Sequence, residues 1–517
     1  MKYLPYDIGC FENYNEIKNS SLKFFNLSRR RNTWNFIASE LIRIKFTKKL
    51  AEKFFTTISL QLYNNFPAII CALIDYEEYN ERNYKLRFSN SNQIIKKIIY
   101  DDCNEELYFE IFKKKFNYQK VSKIKIFLRN MYFFGNFNHN KIDLIDHNSN
   151  SRKFTKKNFN VRYRPSSNFF DFKKIIQKKN SYSEEFKEIF DQNFEHLNII
   201  FCEYLNKNCI NKKINYNFSF FLKCFLKFEI SIFLETQKIL SNSNIGKISS
   251  TSISGFKPSR FIASYNYFKG NKVIKFDDQN GGMIHGNHKG AYLNNLINCT
   301  DYYLTTTSAK NNTERFYKDF FKKNNIDKQI NFHSLNYENK FNNIKKNITS
   351  KKIKYVYFSI SFRNQNFHGS GTFHDIDYLN LQNIVFNFLK SNTNDLLYRP
   401  HPESIIGIKK NPIEKYINNL SFEETIRNGN ICIFDSTISS AFWQCIQNQN
   451  PIILIRHYNV DEKSVYLKRL EERCEIIDIE NPDQTENILK NLNFQKISKN
   501  SIEKSKTCFD NFDNIIN

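Results

Sequence analysis

The stretch that decides the fold runs from Asp395 to Arg456 and reads DLLYRPHPESIIGIKKNPIEKYINNLSFEETIRNGNICIFDSTISSAFWQCIQNQNPIILIR. Its pattern is a short apolar strand, a basic proline-bearing loop, a helix, a second strand, a hydroxyl-rich segment, another helix and a third strand. Such βα alternation is typical of a mostly parallel sheet. We therefore expect the loop at Arg399 and the segment at Asp435 to lie at neighbouring carboxyl ends of one sheet, where open α/β sheets hold ligands.

Elements of the same kind flank this stretch on both sides. The alternation begins after Ser250, with a helix at Pro258–Phe268, a strand at Lys272–Phe276 and a strand from Tyr302 to Leu304. Beyond the polar, lysine-rich connection Lys340–Lys352 we predict strands at Ile353–Ser359, Asp395–Tyr398, Asn430–Phe434, Pro451–Ile455 and Glu475–Ile479, and helices at Tyr378–Lys390, Phe422–Asn428, Ile438–Gln447, Lys463–Leu470 and Pro482–Leu492. The chain thus reads as α/β, with two Rossmann-like domains facing each other across a cleft.

The first part of the chain has the spacing of long helices. Apolar residues recur at helical intervals in Leu41–Leu62, Tyr182–Leu205 and Phe218–Ile239, while Lys123–Leu128 has the pattern of a strand. We therefore place an α/β domain with N-terminal helical additions at residues 1–345, a second α/β domain at 346–500 and a tail at 501–517.

Three properties bear on the location of the protein. The first residues, Met1–Asp7, lack the apolar run of a signal peptide. The most apolar long stretch, Phe218–Leu234, contains Lys223, Lys227 and Glu229 and is typical of a buried or amphipathic helix rather than a membrane span. We expect a soluble cytoplasmic protein, with peripheral association at the inner face of the cytoplasmic membrane as a further expectation.

Composition excludes several function classes. The chain has 77 basic and 52 acidic residues among 517, a formal charge of +25. The lysines are spread along the chain, and we find no RNA-recognition motif, zinc finger or basic helix, so we expect no nucleic-acid partner. The 11 cysteines include no C-x-x-C pair, which argues against a disulfide scaffold or a zinc ribbon. The histidines show no H-x-x-x-H or H-E-x-x-H spacing and no P-loop is present, so we expect neither a dedicated metal site nor P-loop ATP hydrolysis.

The loop Arg399-Pro400-His401-Pro402 directly follows a predicted strand. Its two prolines restrict the backbone, so the imidazole of His401 is held at a defined angle between them. A guanidinium and an imidazole at the end of a strand favour an anionic ligand. The alternative is an ordinary strand-end turn with an exposed histidine.

The segment Asp435–Ser440 carries Ser436, Thr437, Ser439 and Ser440 at the start of a predicted helix. Capping explains one or two of these hydroxyls. The remaining hydroxyls, together with the unpaired N–H groups of a helix N-terminus, suit phosphate oxygens. One of Ser439 and Ser440 could instead face the core.

A third loop, Asp277–His288, follows the predicted strand Lys272–Phe276 and contains a glycine turn. Glycine lets the backbone approach a ligand closely. His285 is a candidate general base because its pKa is ordinarily near neutral, and Asp277 and Asp278 are alternative bases or could orient an imidazole. A surface βα loop remains the alternative. In a fourth loop, after Ser359, Arg363 could clamp a donor phosphate or could be solvated.

These motifs together resemble the surface-carbohydrate glycosyltransferases of the GT-B type. The chain is most similar to bacterial transferases with a Q-H-G-G turn in the first domain and an R-x-H-P loop and a D-S-T segment in the second. The Kdo transferases of capsule and lipopolysaccharide synthesis, the CDP-glycerol glycerophosphotransferases and sialyltransferases with HP and SS motifs are related. The resemblance covers Gly246 to about Leu492.

The resemblance implies where the substrates bind. The HP and Ser/Thr segments would hold the nucleotide phosphate of a CMP- or CDP-linked sugar donor in the second domain, and the Q-H-G-G turn would lie across the cleft, near a glycan or lipid-linked glycan acceptor. Here Asn280 stands where the family pattern has histidine. The implied nucleotide residues are Arg399, His401, Pro402, Ser436 and Thr437, joined by Arg363, Ser439 and Ser440, and the cleft residues are Gln279, Asn280, Gly281, Gly282, Gly286 and His288.

The function expected from this resemblance is metal-independent transfer of a sugar from a nucleotide-activated donor, expected to be CMP-linked, to a growing cell-surface glycan. No cofactor other than the donor is implied. Two alternatives stay open, a CDP-glycerol- or ribitol-type polyol-phosphate transferase and a catalytically inactive GT-B-fold protein that binds glycans.

Overall fold

The computed structural model of the chain contains two large parallel sheets and a group of long helices. The residues that it describes are 2–18, 27–100, 104–116, 142–145, 161–164, 183–241, 248–251, 259–270, 272–276, 300–306, 314, 317–318, 321–322, 329–335, 354–359, 375–401, 411–427, 430–437, 440–457, 470–480 and 482–506. The α/β class predicted from the sequence is confirmed at this level.

The elements are numbered in chain order. The helices are α1 Tyr14–Lys18, α2 Leu27–Arg43, α3 Lys49–Glu81, α4 Gln93–Tyr100, α5 Glu105–Phe116, α6 Glu184–Lys207, α7 Lys212–Ser241, α8 Ser259–Phe268, α9 Asp375–Asn392, α10 Phe422–Arg427, α11 Ser440–Gln447, α12 Thr485–Lys490 and α13 Phe494–Ser505. The strands are β1 Lys2–Pro5, β2 Tyr84–Arg87, β3 Ile142–Ile145, β4 Val161–Arg164, β5 Ile248–Thr251, β6 Lys272–Phe276, β7 Tyr302–Thr306, β8 Asn331–Leu335, β9 Tyr355–Phe358, β10 Leu396–Arg399, β11 Ile431–Phe434, β12 Ile452–His457 and β13 Glu475–Ile479.

Helices α3, α6 and α7 form the centre of the helical unit, which comprises β1, β2 and α1 to α7. The Phe66 ring on α3 lies 5.0 Å from the Phe201 ring on α6 and 5.1 Å from the Phe225 ring on α7, between centroids. Inside this core, Gln61 Nε2 donates to Glu229 Oε1 over 3.1 Å. The helices expected at 182–205 and 218–239 are confirmed as α6 and α7, and the apolar stretch of α7 serves as core.

One expected helix is wrong. The sequence pattern predicts a continuous helix over Leu41–Leu62, but α2 ends at Arg43 and α3 begins at Lys49. The break is stabilised from α6, because Gln192 accepts the backbone N–H of Lys48 over 3.3 Å and donates to the hydroxyl of Thr47. A partner so distant in the chain leaves no trace in the local apolar spacing.

Helix α3 also bears on membrane insertion. Across the described part of the chain, no single helix is long and apolar enough to cross a membrane. The two halves of α3, Lys49–Ser59 and Gln61–Glu81, meet the length and composition criterion only together, with a bend of 45° between them. In this structure the α3 residues Phe54, Ile58, Leu62 and Phe66 are buried in the helical core.

The first large sheet has six strands in the order β4-β3-β5-β6-β7-β8, and all its pairs are parallel. The predicted strand Lys272–Phe276 is confirmed as β6, the strand expected from Tyr302 extends to Thr306 as β7, and the expected helix near 258–268 is α8. Other expectations lie outside the described residues, namely the strand at 123–128, the glycine turn at 279–282, the connection at 340–352 and all but the last residue of the helix at 463–470.

The second large sheet has five parallel strands in the order β10-β9-β11-β12-β13. Its strands match the predicted ones to within two residues at each end, because each is a short apolar run between polar residues. One face packs on α9, α12 and α13, the other on α11, so both faces are covered, as parallel sheets require. Cys432 is fully buried there, where a free thiol behaves as a small apolar core residue.

Helix α9 belongs to both hydrophobic cores. Its early residues Ile376 and Leu379 pack in the core of the helical unit, whereas Phe386 and Leu389 pack in the core of the second sheet. The boundary expected at residue 345 lies outside the described residues, and α13 runs past residue 500, where we place the end of the second domain.

Candidate functional site

The candidate site lies at the carboxyl edge of the second sheet. In the registers of this sheet, Phe358 of β9 is aligned with Arg399 of β10 on one side and with Phe434 of β11 on the other. The segments after these three residues therefore leave the sheet at the same edge. This agrees with the expected placement of the Arg399 loop and the Asp435 segment at carboxyl ends.

The expectation that these two loops follow adjacent strands is wrong. Strand β9 lies between β10 and β11, which separates the two strands by about 10 Å at the usual spacing of about 4.8 Å per strand. The chain passes from β9 to β10 on one side and then returns to β11 on the other side of β9. Strand order along the sequence does not reveal this reversal.

The reversal creates a topological switch point. In open α/β sheets the connections from two adjacent strands then run in opposite directions and leave a crevice outside their carboxyl ends, where ligands bind. In this sheet the two strands are β9 and β11, and the residues that follow them are Ser359 and Asp435. The Arg399 loop borders this position from the far side of β9.

The Asp435 segment continues β11 at this edge. Asp435 and Ser436 are each 8% exposed and Thr437 is 7% exposed, so these side chains lie within the sheet edge rather than on a solvated loop. Helix α11 begins at Ser440, and the N–H groups of its first turn have no acceptor within the helix. Hydroxyl groups and the N–H groups of a helix N-terminus therefore occur together, which suits an anion.

A buried polar network lies under the Asp435 segment on the α9 side of the sheet. Tyr357 of β9 and Tyr378 of α9 both donate their hydroxyls to Asp435 Oδ2, over 2.6 Å and 2.7 Å. Beside them the hydroxyls of Ser359 and Tyr398 are hydrogen-bonded at 3.0 Å. Burial, reinforced by the nearby Asp435 carboxyl, raises the pKa of Tyr357 and that of Tyr378 well above the ordinary value.

The sequence did not predict this network of buried tyrosines. Burial acts on its third member as well and raises the pKa of Tyr398 to about 12. The available signal was the presence of Tyr357 and Tyr398 within otherwise apolar strands, since a buried tyrosine needs a partner for its hydroxyl. The sequence could not indicate that Asp435 would be the partner of Tyr357, because the two residues come together only through sheet pairing.

Arg399 is the last residue of β10, and His401 lies in the loop that follows. The Arg399 guanidinium donates to the carbonyl oxygen of Leu420 and lies 6.0 Å from the centroid of the Phe422 ring. This contact holds the segment before α10 against the sheet edge, a role that the sequence did not predict. His401 is half-buried and follows Pro400 directly.

The segment before α10 is itself well ordered by local hydrogen bonds. Ser421 and Glu424 form a capping box, in which the Ser421 N–H donates to the Glu424 carboxylate over 2.8 Å and the Glu424 N–H donates to Ser421 Oγ over 3.1 Å. The Asn418 N–H donates to the carbonyl oxygen of Tyr398 over 2.7 Å. This segment therefore closes the sheet edge beside β10 and fixes the wall of the site next to Arg399.

Several sequence-predicted residues lie outside the described residues, and their roles stay predictions. These residues are Asp278, Gln279, Asn280, Gly281, Gly282, His285, Gly286, His288, Arg363, Pro402 and Ser439, and for Ser440 only the backbone is described.

Among the residues that are described, no group of three or more His, Cys, Asp and Glu side chains could hold a metal ion.

Comparison of the chain with protein-family models and with curated proteins finds no match.

Proposed function

We propose that this protein is a glycosyltransferase that transfers a sugar from a CMP-linked donor to a growing cell-surface glycan, and that the switch point of the second sheet holds the donor phosphate. The single observation that carries the proposal is the alignment of β9, β10 and β11, whose following segments supply Arg399, His401 and the hydroxyls of Ser436 and Thr437 to one sheet edge. In this proposal the six-stranded sheet and the five-stranded sheet are the two domains of a GT-B enzyme.

The proposed mechanism is electrostatic. Negative charge grows on the phosphate as the bond to the sugar breaks. Arg399, His401 and the N–H groups at the start of α11 would stabilise that charge in a partly buried site, where hydrogen bonds and dipoles act more strongly than in water. His285, or alternatively Asp278, would remove the proton from the acceptor hydroxyl. Gln279, Asn280 and the nearby glycines would border the acceptor.

The proposed location follows from the acceptor. A lipid-linked glycan is presented at the inner face of the cytoplasmic membrane, and a protein of formal charge +25 is attracted to an anionic lipid surface. We therefore propose a cytoplasmic protein that associates peripherally with that membrane.

Nucleotide binding tests the proposal. We expect CMP to raise the melting temperature of the protein, because a ligand at about 100 times its Kd adds about 2.7 kcal/mol to the free energy of unfolding. The double substitution Ser436→Ala/Thr437→Val removes two phosphate donors, so it should weaken CMP binding about tenfold or more, measured by calorimetry. The matched control is Lys490→Ala, which removes only an exposed ion pair with Glu486 on α12.

Intact donors separate the two transferases. Both reactions release CMP, because a polyol-phosphate transferase moves the polyol phosphate away from a CDP-linked donor. Stabilisation by CDP-glycerol but not by a CMP-sugar would therefore favour the polyol-phosphate transferase, which would use the same site. The proposal fails if CMP, CDP, UDP and GDP all leave the melting temperature unchanged.

A second candidate function is glycan binding without catalysis, and the observation that favours it is Asn280 in place of the family histidine. We expect the wild-type protein to hydrolyse a CMP-sugar slowly and His401→Ala to lose at least about tenfold of that rate, as for removal of one group that stabilises the transition state. The measurement is the rate of CMP release, monitored by chromatography. Nucleotide binding with no turnover in either protein would favour the binding protein instead.

A further inference from the structure

The buried carboxyl group of Asp435 has two tyrosine partners and directly precedes the candidate phosphate residues. Both hydroxyls, from Tyr357 and Tyr378, donate to the same oxygen, Oδ2. A carboxylate that touched a phosphate would repel it. Asp435 is therefore suited to act on Ser436 and Thr437 through the backbone rather than to contact the ligand.

The two donors come from different parts of the fold. Tyr357 is fully buried in β9, between β10 and β11 of the second sheet. Tyr378 is 3% exposed and belongs to α9, within the part of that helix that packs in the core of the helical unit. Asp435 thus connects the end of β11 both to its own sheet and to the helix that the two cores share.

The two tyrosine hydrogen bonds to Asp435 persist at neutral pH. A tyrosine hydroxyl keeps its proton at neutral pH even at its ordinary pKa. Burial raises the pKa of Tyr357 and that of Tyr378 further, so both hydroxyls remain donors. The neighbouring hydroxyl of Tyr398 is engaged by Ser359 instead. Asp435 is therefore held in one orientation from two sides.

We propose that Asp435 is a positioning residue of the candidate phosphate site, which fixes the Ser436–Thr437 turn to α9 and thereby couples nucleotide affinity to the packing of α9 against the helical unit. The coupling to a nucleotide rests on the proposed function. The fixing of the turn does not, and it can be measured without any ligand.

The test compares three conservative variants of the full chain. Tyr378→Phe and Tyr357→Phe each remove one hydroxyl and keep the ring. Ile433→Val is the matched control, since Ile433 is fully buried on β11, two residues before Asp435 on the same face, and makes no side-chain hydrogen bond. We expect all three variants to be less stable than the wild type. A merely structural role therefore predicts similar changes in hydrogen exchange and in CMP affinity in the three proteins.

Backbone hydrogen exchange and CMP binding distinguish the positioning role from a merely structural one. We expect Tyr378→Phe to speed hydrogen exchange of the backbone at 434–437 by about fivefold, the equivalent of one lost hydrogen bond of about 1 kcal/mol, and to weaken CMP binding by a similar factor. Tyr357→Phe should do the same, whereas Ile433→Val should change neither quantity by more than about twofold. Asp435→Asn keeps a carbonyl acceptor and should retain more CMP affinity than Asp435→Ala.

The outcomes separate this inference from the proposed function. Unchanged local exchange in both tyrosine variants, or equal changes in Ile433→Val, would overturn the inference even if CMP binds. Faster local exchange in a protein that binds no nucleotide would support the positioning of the turn and overturn the proposed function.

Discussion

At the scale of single residues, the least expected contact is that of Arg473. In the sequence it stands in the charged run Glu471-Glu472-Arg473, which is typical of a solvated surface. In the structure it is 1% exposed, and its Nη2 donates to the carbonyl oxygens of Ile446 over 3.2 Å and Asn450 over 2.8 Å. The cation thus satisfies the carbonyl end of α11, the helix whose opposite end forms part of the candidate site.

Replacement of Arg473 tests this role. We expect Arg473→Met to lower the free energy of unfolding by about 2–3 kcal/mol, because it leaves buried carbonyl groups without their charged donor. Urea unfolding followed by circular dichroism is the measurement. The matched control is Arg82→Met, since Arg82 is 61% exposed in its ion pair with Glu78 and should contribute less than about 1 kcal/mol. Equal small effects in the two variants would contradict the structural role of Arg473.

At the scale of elements, the sequence predicts what local pattern determines. The strands of the second sheet and the helices α6 and α7 follow from apolar runs and spacing. The bounds of the strands and of α6 agree with the structure to within two residues, whereas α7 begins at Lys212, before the predicted Phe218. Contacts between distant residues were not predictable. The break between α2 and α3 depends on a hydrogen bond with Gln192. The guanidinium of Arg399 donates to the carbonyl oxygen of Leu420, which lies 21 residues later in the chain. The position of β9 between β10 and β11 depends on the faces of the sheet on which the crossover helices pack, because the crossovers share one handedness, and the order of elements along the chain does not contain those faces.

The same distinction between local pattern and contacts of distant residues applies to the candidate site. The carboxyl ends of β10 and β11 are where the Arg399 loop and the Asp435 segment were expected, because a strand followed by a polar segment is a local signal. The tyrosine partners of Asp435 come from β9 and α9 and become visible only when sheet register and helix packing are known. The residues of the Asp277–His288 loop stay predictions.

At the scale of the whole molecule, α9 determines how the parts are joined. Leu379 and Leu389 are both fully buried, the first in the core of the helical unit and the second in the core of the second sheet. An isolated helix of 18 residues is only marginally stable in water, so α9 depends on packing at both ends. Loss of either core would therefore weaken the other.

We accordingly expect the helical unit and the second sheet to unfold in one cooperative transition. The chain has two tryptophans, Trp34 on α2 of the helical unit and Trp443 on α11 of the second sheet, so Trp443→Phe and Trp34→Phe leave one reporter in each. In each single-tryptophan protein the urea curve from fluorescence should coincide with the curve from circular dichroism. Leu379→Ala and Leu389→Ala should each shift the curves of both proteins, because a buried leucine contributes about 2–5 kcal/mol. If Leu379→Ala shifted only the Trp34 curve and Leu389→Ala only the Trp443 curve, the two cores would be independent, and α9 would not transmit changes in packing to the Asp435 segment.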